Sequence, residues 1–236
     1  MGKNLIQQAR GKGGPTYRAP SFKFKGVARV EHKGCARVVD LIRCRAHSAP
    51  LAFVEYPDKT TGYIIAAEGL FVGDQLTIGA EAEHKTGNTL PLYNIPEGTD
   101  IFNIENRPGD GGKFVRSSGL SAKIITKTQD KITILLPSKK KKDFNPRCAA
   151  TIGVVAGGGR TEKPFLKAGK MFFKAKQKNH YWPMISGSAQ NAVDHPFGNK
   201  RTSRKSKAHP VGRGTPPGRK VGMLYARRTG RKRGKQ

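Results

Sequence analysis

The alternation of apolar and polar positions in the first two thirds of the chain predicts short β-strands. These segments are rich in Val, Ile and Phe, and turn sequences such as "PDKTTG", "PEGT" and "RPGDGG" separate them. Such spacing is typical of small β-barrels or a sandwich, and no helix of three or more turns is predicted. The predicted strands are residues 35–43, 49–56, 62–67, 74–79, 99–105, 120–128, 131–137 and 150–157.

Eight short strands over this length favour two small barrels, one after the other. The predicted barrels cover residues 34–83 and 84–160, between basic extensions at residues 1–33 and 161–236. After residue 160 the periodicity ends, apart from a short helix that Pro164 would begin and Gly169 would stop. The stretch "GNKRTSRKSKAHPVGRGTPPGRK" has too little apolar area to fold alone, so we expect it to be disordered without a partner.

The formal net charge of +29 is distributed unevenly along the chain. Residues 34–138 hold eleven basic and twelve acidic residues, whereas residues 161–236 hold twenty basic and two acidic ones. A neutral core with cationic ends is typical of a protein that threads basic arms through a polyanion. The beginning of the chain lacks an apolar signal segment, and no apolar stretch approaches the roughly 20 residues of a membrane span. The expected partner is therefore nucleic acid and not a membrane, and the expected compartment is the cytoplasm.

Two pairs of residues have the ligand types and the spacing of a structural zinc site, namely His32 with Cys35 and Cys44 with His47. The sequence between the pairs is a predicted strand, so its ends would lie about 30 Å apart. The pairs would then point at different places, and no metal site is predicted. Three cysteines, an odd number, also argue against a disulfide scaffold.

The segment "GVVAGGGRTEKP" places three consecutive glycines directly after a predicted strand. It lacks the G-x-x-x-x-G-K-[ST] pattern of a nucleotide-binding loop. A glycine backbone can lie directly against another backbone or a sugar-phosphate chain, because it has no Cβ. Arg160 and Lys163 stand beside the glycines, which favours RNA contact over a simple turn.

Two further features leave alternatives open. Trp182, the only tryptophan, follows four lysines between residues 170 and 178, and base stacking and packing in a small satellite core fit it equally well. The run Lys139 to Lys142 is compatible with a solvated hairpin tip.

Asp194 and His195 stand side by side and invite comparison with a catalytic dyad. An enzyme would also need a nucleophile or a metal, a pocket and a rigid scaffold. The pair instead stands among glycine, proline and cationic residues, in the part of the chain least able to fold alone. The sequence therefore predicts no autonomous catalysis.

Several motifs in a fixed order carry a resemblance to a known family. They are "IAAEGL", "PEGT", "GDGGKFVRSSG", "GVVAGGGRTEKPFLKAGK", "WP", "VDHPFG", "PPGRKVG" and "ARRTGR". Together they resemble the universal large-subunit ribosomal protein L-two family over roughly the whole chain, and its archaeal and eukaryotic branch most of all. The beginning "MGKNLIQQARGKGGPTYR" and the short C-terminal end are more similar to archaeal members.

The resemblance implies an OB-fold barrel followed by an SH3-like barrel, with basic arms that penetrate large-subunit rRNA near the peptidyl transferase centre. It also implies a role in subunit association and in assembly of the active ribosome. The family's RNA-binding stretch matches Lys113, Phe114, Arg116, Ser117 and Ser118. Its glycine loop matches the segment from Gly157 to Lys163, and its histidine near the catalytic centre matches His195.

This chain departs from the family around that histidine. The family usually reads "MNPVDHPHGGG", where this chain has Gln190, Ala192, Phe197, Asn199 and Lys200. It retains Asp194, His195, Pro196 and Gly198. The resemblance thus implies that the Asp–His pair is part of a loop held within rRNA, while the reaction belongs to the RNA.

The expected function is that of a structural, non-enzymatic protein of the large ribosomal subunit. Its expected partners are large-subunit rRNA, neighbouring ribosomal proteins and the small subunit at an intersubunit bridge, but no second copy of itself. No cofactor is expected, apart from Mg²⁺ that the rRNA would hold. The alternatives are a non-ribosomal OB-type RNA chaperone and an RNA-processing enzyme. The residues predicted to contact RNA are Arg10, Lys12, Arg18, Lys113, Arg116, Ser117, Gly157, Gly158, Gly159, Arg160, Lys163, Lys167, Lys170, Trp182, His195, Pro196, Arg201, Arg204, Arg219, Lys220, Arg227 and Arg228.

Overall fold

The computed structural model of the chain describes residues 2–19, 24–31, 34–201 and 211–220. Ten strands form one sheet in the order β3-β2-β1-β4-β5-β10-β6-β7-β8-β9. The predicted mainly β class is confirmed, and the strand order is consistent with an OB-fold barrel followed by an SH3-like barrel. The strands are β1 Gly34–Ile42, β2 Leu51–Glu55, β3 Thr61–Ile65, β4 Gln75–Ile78, β5 Thr89–Pro91, β6 Asp100–Phe102, β7 Ala122–Lys127, β8 Ile132–Leu135, β9 Lys141–Phe144 and β10 Ala149–Ile152.

Strands β1 to β4 form an antiparallel group in which β1 pairs with both β2 and β4. Alternate side chains of β1 point inward, so that Ala36 and Val38 are buried. The register of the β1–β2 pair shifts between Val38 and Asp40, which marks a β-bulge. A bulge bends its strand and increases the local twist, as closure into a small barrel requires.

Strands β5 and β9 were absent from the sequence prediction. β5 is only three residues long and ends at Pro91, so it carries little β-sheet signal of its own. β9 has the sequence "KKDF", and its pairing with β8 turns only Phe144 fully into the core. Of the run that the sequence left compatible with a solvated hairpin tip, Lys139 and Lys140 belong to the exposed turn, whereas Lys141 and Lys142 lie in β9.

A buried polar junction connects β4 with β5 and β10. The side-chain oxygen of Asn88 accepts a hydrogen bond from the Thr77 amide at 2.9 Å, and its Nδ2 donates to the Glu83 carbonyl at 3.0 Å. The hydroxyl groups of Thr89 and Thr151 are 2.9 Å apart and buried. Since β4 and β5 are in register only at Ile78 and Thr89, these side chains supply much of the connection.

Three clusters of buried apolar side chains make up the core. One lies among residues 82–152 and includes Leu90, Ile101 and Ile134. The second lies among residues 30–78. The third combines Leu51 and other residues of the first strands with Phe102 and Val155. Residues 28 and 30, within the predicted N-terminal extension, are also buried. The predicted domain boundaries stay predictions.

Two α-helices flank the sheet in sequence: α1, Ile6–Gly11, and α2, Ala168–Gln177. The predicted helix from Pro164 to Gly169 is wrong, because α2 begins only at Ala168 and continues through Gly169. Tertiary packing of Ala175 stabilises this helix beyond the glycine. The chain divides into two compact units, residues 15–182 and residues 1–14 with 183–236. Neither described helix is long and apolar enough to cross a membrane.

Replacement of Asn88 by alanine should destabilise the sheet junction. The change removes an acceptor and a donor from a buried site, which leaves the Thr77 amide and the Glu83 carbonyl without this partner. We expect the free energy of unfolding, measured by urea titration of the full chain, to fall by about 2–4 kcal/mol. The control is Gln75→Ala on the exposed face of β4. Equal stability of the two variants would contradict the assignment.

Candidate nucleic-acid interface

The candidate interface begins with the loop "NRPGDGG", residues 106–112, which a buried carboxylate holds in place. Glu105 is only 2 % exposed, and it accepts hydrogen bonds from the amides of Gly109, Gly111 and Ala149 at 2.9–3.0 Å. The last of these amides belongs to β10. The loop is therefore attached to the sheet through a carboxylate whose charge is satisfied by backbone N–H groups.

Asp110 gives the same loop its tight internal turn. Its two oxygens accept hydrogen bonds from the amides of Asn106, Arg107 and Gly112 at 3.0–3.2 Å. Gly111 has a φ of +76°, and a Cβ there would lie 2.1 Å from the Arg29 side chain that crosses it. This glycine is therefore needed both for the turn and for the passage of Arg29.

The folded loop then positions Arg116. Its Nη1 donates to the Gly112 carbonyl at 3.1 Å, and its Nη2 donates to the Ala28 carbonyl at 2.5 Å. Burial lowers the pKa of the guanidinium, an effect that the charge of Asp110 offsets in part. Arg116 thus remains cationic while backbone carbonyls, and not a carboxylate, hold it.

The glycine loop packs against the segment that follows Arg116. A Cβ at Gly119 would lie 2.4 Å from the Cα of Gly158, so the two backbones touch. The Ser118 hydroxyl accepts a hydrogen bond from Arg160 Nε at 2.8 Å, and the Ser118 amide donates to the Ser48 hydroxyl. The glycines therefore allow one backbone to lie directly against another. The sequence allowed for this possibility as well as for contact with a sugar-phosphate chain.

Four cationic side chains and one histidine interact with one another near this contact. We call His47, Arg116, Arg160, Lys174 and Lys178 the cationic cluster. Burial lowers the pKa of His47, and the charges of Arg116 and Lys178 lower it further. Burial also lowers the pKa of Lys174, as do the charges of Arg160 and Lys178. The Nζ of Lys178 donates to the Ala46 carbonyl at 3.3 Å. The positive charges of Arg160 and Lys178 therefore disfavour the charged form of Lys174, an effect that a bound anion would offset.

The two cysteine–histidine pairs are separated by strand β1, as the sequence predicted. Cys35 is exposed at the beginning of β1, Cys44 is buried beyond its end, and His32 lies outside the described residues. Burial raises the pKa of the Cys44 thiol, but nearby backbone N–H groups and the charge of Lys178 outweigh it, and the net shift is downward. Within the described ranges, no group of three or more His, Cys, Asp or Glu side chains could hold a metal ion.

The loop around His195 belongs to the unit of residues 1–14 and 183–236, and it is stabilised by its own backbone. Nδ1 of His195 accepts a hydrogen bond from the Phe197 amide at 3.1 Å, which assigns the neutral ring a proton on Nε2. A Cβ at Gly187 would lie 2.4 Å from the imidazole ring, so the ring rests on that glycine. Asp194 pairs with Lys3 at 3.5 Å. The carboxylate is therefore directed at a lysine, and the imidazole nitrogen that a dyad would use has another partner.

The remaining predicted residues are distributed over both units. The half-buried Trp182 and most of the basic residues do not enter the cationic cluster. Arg219 lies in a short 3₁₀-helix, Pro217–Arg219, and Arg204, Arg227 and Arg228 lie outside the described residues. The exposed ones are Arg10, Lys12, Arg18, Lys113, Ser117, Gly157, Gly159, Lys163, Lys167, Lys170, Pro196, Arg201 and Lys220.

Three members of the cationic cluster were missed by the sequence reasoning. Lys174 and Lys178 are four residues apart on one face of α2 and its end, a spacing that could have been noticed. His47 carries no comparable signal, because its environment is made by residues about 70 and 130 positions away along the chain.

The fold and this site define a class: a basic, mainly β protein whose surface suits a polyanion. Comparison with known proteins narrows the class. The family model for the C-terminal domain of Ribosomal Proteins L2 matches residues 85–215. The "Large ribosomal subunit protein uL2" of Archaeoglobus fulgidus is 49% identical over 99% of this chain and 100% of its own length. The proteins of the same name from Methanosphaerula palustris and Methanospirillum hungatei are 51% and 48% identical, over 99% and 98% of this chain and 100% of their own lengths. The chain belongs to the ribosomal protein L2 (uL2) family, in its archaeal branch.

The contact between the two glycine backbones can be tested with a matched pair of substitutions. Gly119 and Gly98 have φ values of +71° and +80°, but a Cβ at Gly98 would meet nothing within 4 Å. Gly98→Ala should cost about 1–2 kcal/mol of unfolding free energy for its left-handed backbone. Gly119→Ala should cost a further 1–3 kcal/mol, roughly, because it also forces the backbones apart. Equal costs in urea unfolding would show that the contact is unimportant.

The state of His47 gives a pH-dependent prediction. Its pKa in the free protein should lie below its ordinary value of 6.5, as NMR titration of the imidazole resonances would show. Lys178→Gln should raise this pKa, whereas the control Lys59→Gln should leave it unchanged. Because the folded pKa is lowered, the contribution of His47 to stability is present above pH 6.5 and is lost as the pH falls through the folded pKa. A pKa at or above 6.5 would contradict this account.

Proposed function

We propose that this chain is a structural protein of the large ribosomal subunit and that it acts by binding rRNA. The cationic cluster is the observation that carries the proposal. It gathers side chains from distant parts of the sequence, and backbone carbonyls hold two of them, Arg116 and Lys178. An arrangement of this kind is stabilised by phosphate groups. The relatives that share about half of its residues are named for the large ribosomal subunit.

The mechanism is charge neutralisation combined with positioning. Each phosphate that a cation neutralises releases counterions. A plot of log affinity against log salt concentration therefore falls with a slope of about 0.9 per contact on a duplex and about 0.7 on a single strand. Arg116 and Arg160 have their orientation fixed before binding by the Gly112 and Ser118 contacts. A cation fixed in advance loses less conformational entropy when the phosphate arrives.

The loop around His195 is the part that we place near the peptidyl transferase centre. This placement follows from the family resemblance of "VDHPFG", and the self-stabilised turn supports it, because such a loop keeps its shape without a β-sheet beneath it. Subunit association, an intersubunit bridge, other ribosomal proteins as neighbours and a cytoplasmic location belong to the same proposal.

The protein's own role in this proposal is structural and not catalytic. Its Asp194 faces Lys3, and its His195 Nδ1 accepts from a backbone amide. Both contacts stabilise a loop conformation. An imidazole that acts as a general base through Nε2 would instead donate its Nδ1–H to an acceptor such as a carboxylate. The chemistry of translation would remain with the RNA.

The test is sedimentation of a cell lysate through sucrose gradients at high and at low magnesium, with this protein followed in every fraction. We expect it to sediment with whole ribosomes at high magnesium and with large subunits after dissociation, and to stay there in moderate salt. Recovery at the top of the gradient, or in small polydisperse RNA complexes, would contradict the proposal and favour an exchanging RNA chaperone.

A further inference from the structure

The outer face of α2 exposes two neighbouring phenyl rings. Phe172 is 43% exposed and Phe173 is 63% exposed. Their ring centroids are 5.6 Å apart, and their planes meet at 77°. Ala175, which is three positions after Phe172, is buried and packs inward on the flank of this face. The rings are therefore not part of the core, although a solvent-facing helix surface is ordinarily polar.

The exposed apolar surface continues into the segment before α2. Phe165 is 50% exposed and Leu166 is 79% exposed. Lys174 places its Nζ 4.6 Å from the centroid of the Phe165 ring, so a cation already lies against one aromatic face. Several large apolar side chains exposed in one short stretch indicate a binding surface and not chance exposure.

Cations are interleaved with these rings. Lys176 follows Phe173 by three positions and Phe172 by four, so it lies between the two rings on the helix surface. Lys163, Lys167 and Lys170 are exposed close by in sequence, and no acidic residue occurs between positions 163 and 193. Within the parts of the chain that the structure describes, no lysine of α2 is ion-paired with a carboxylate. The surface has both apolar rings and unneutralised positive charge.

The C-terminal end of α2 is attached to the same unit. Lys178 donates to the Ala46 carbonyl at 3.3 Å, and Asn179 Nδ2 donates to the carbonyls of Pro15 and Arg18 at 3.2 and 2.8 Å. Asn179 has a φ of +52°, which ends the helix. The rings are thus presented by an anchored helix, which lowers the entropy that binding would cost.

We propose that the outer face of α2, with Phe172, Phe173 and Lys176, binds unpaired bases of single-stranded RNA. The rings stack on bases, and the lysines neutralise the phosphates between them. The inference rests on the proposed function, and it adds that the RNA bound at this surface is single-stranded and which residues bind it. A membrane-inserting helix would need an uninterrupted apolar stripe, whereas here a lysine lies between the two rings.

The test uses the full chain and a 12-nucleotide single-stranded oligoribonucleotide, with a duplex of the same sequence for comparison. Phe173→Ala should weaken binding of the single strand by roughly 5- to 150-fold, and Phe173→Leu should weaken it nearly as much, because leucine keeps apolar area but has no ring to stack. Neither change should alter the salt dependence, since no phosphate contact is removed. The control is Phe71→Ala, a ring 71% exposed that precedes β4.

A second variant and a crosslinking experiment separate stacking from charge. Lys176→Gln should lower the slope of log affinity against log salt by about 0.7, which the phenylalanine variants should not do. An oligonucleotide with 5-iodouridine, irradiated at long wavelength, should crosslink to Phe172 or Phe173. Single-strand affinity that is unchanged in both Phe173 variants, or equal losses on duplex and single strand, would overturn the proposal.

The remaining outcomes distinguish this inference from the function on which it rests. If the Phe173 variants bind RNA normally and the chain still sediments with large subunits, only the base-stacking inference is wrong. If the wild-type chain binds neither RNA probe and remains at the top of the gradient, the ribosomal function itself is wrong. Tighter binding to phosphatidylserine vesicles than to either RNA would overturn the choice of RNA in favour of a membrane.

Discussion

The contacts of one buried carboxylate, Glu105, organise much of this structure. In a chain of net charge +29, it accepts hydrogen bonds from Gly109, Gly111 and Ala149. These bonds fix the loop of residues 106–112 against β10, and that loop in turn provides the carbonyl that receives Arg116. The charge of Glu105 also acts on its neighbour: burial, and then this carboxylate, raise the pKa of Cys148 to about 11. One carboxylate therefore connects strand β10 to the loop that holds Arg116.

The sequence predicted the elements whose signal is local. Eight strands stood out through β-branched residues and turn sequences, because each signal lies within a few positions. Strand β9 was not predicted, because Phe144 is its only fully buried residue and closely follows a run of lysines. There Lys142 lies over the rings of Phe114 and Phe144, at 3.7 and 4.9 Å from their centroids, and it also donates to Asn106. A lysine that packs on aromatic rings appears in sequence as a solvated charge.

The sequence predicted some residues of the candidate site but not the cluster that they form. The glycine motifs and the family resemblance pointed to Arg116, Ser118 and Arg160, and Arg160 does donate to Ser118, while Arg116 bonds to the carbonyls of Gly112 and Ala28. The cluster as a whole could not be derived, because His47 and Lys178 join it only through tertiary packing. Adjacency along the chain does not bring Asp194 and His195 into contact, since neighbouring residues in a turn can direct their side chains to different partners. Proximity in sequence is weak support for a catalytic pair unless the backbone conformation is known.

How the cations are held explains why the site suits an external polyanion. Had Arg116 been fixed by a carboxylate, the pair would be nearly neutral, and an incoming phosphate would have to displace that partner. Carbonyl oxygens instead orient the guanidinium while its full charge remains. Burial lowers the pKa of His47, and the charges of Arg116 and Lys178 lower it further. Burial likewise lowers the pKa of Lys174, where the further contributions come from Arg160 and Lys178. Repulsion among these positive side chains is what bound RNA phosphates would relieve, and this relief links the fold to the proposed function.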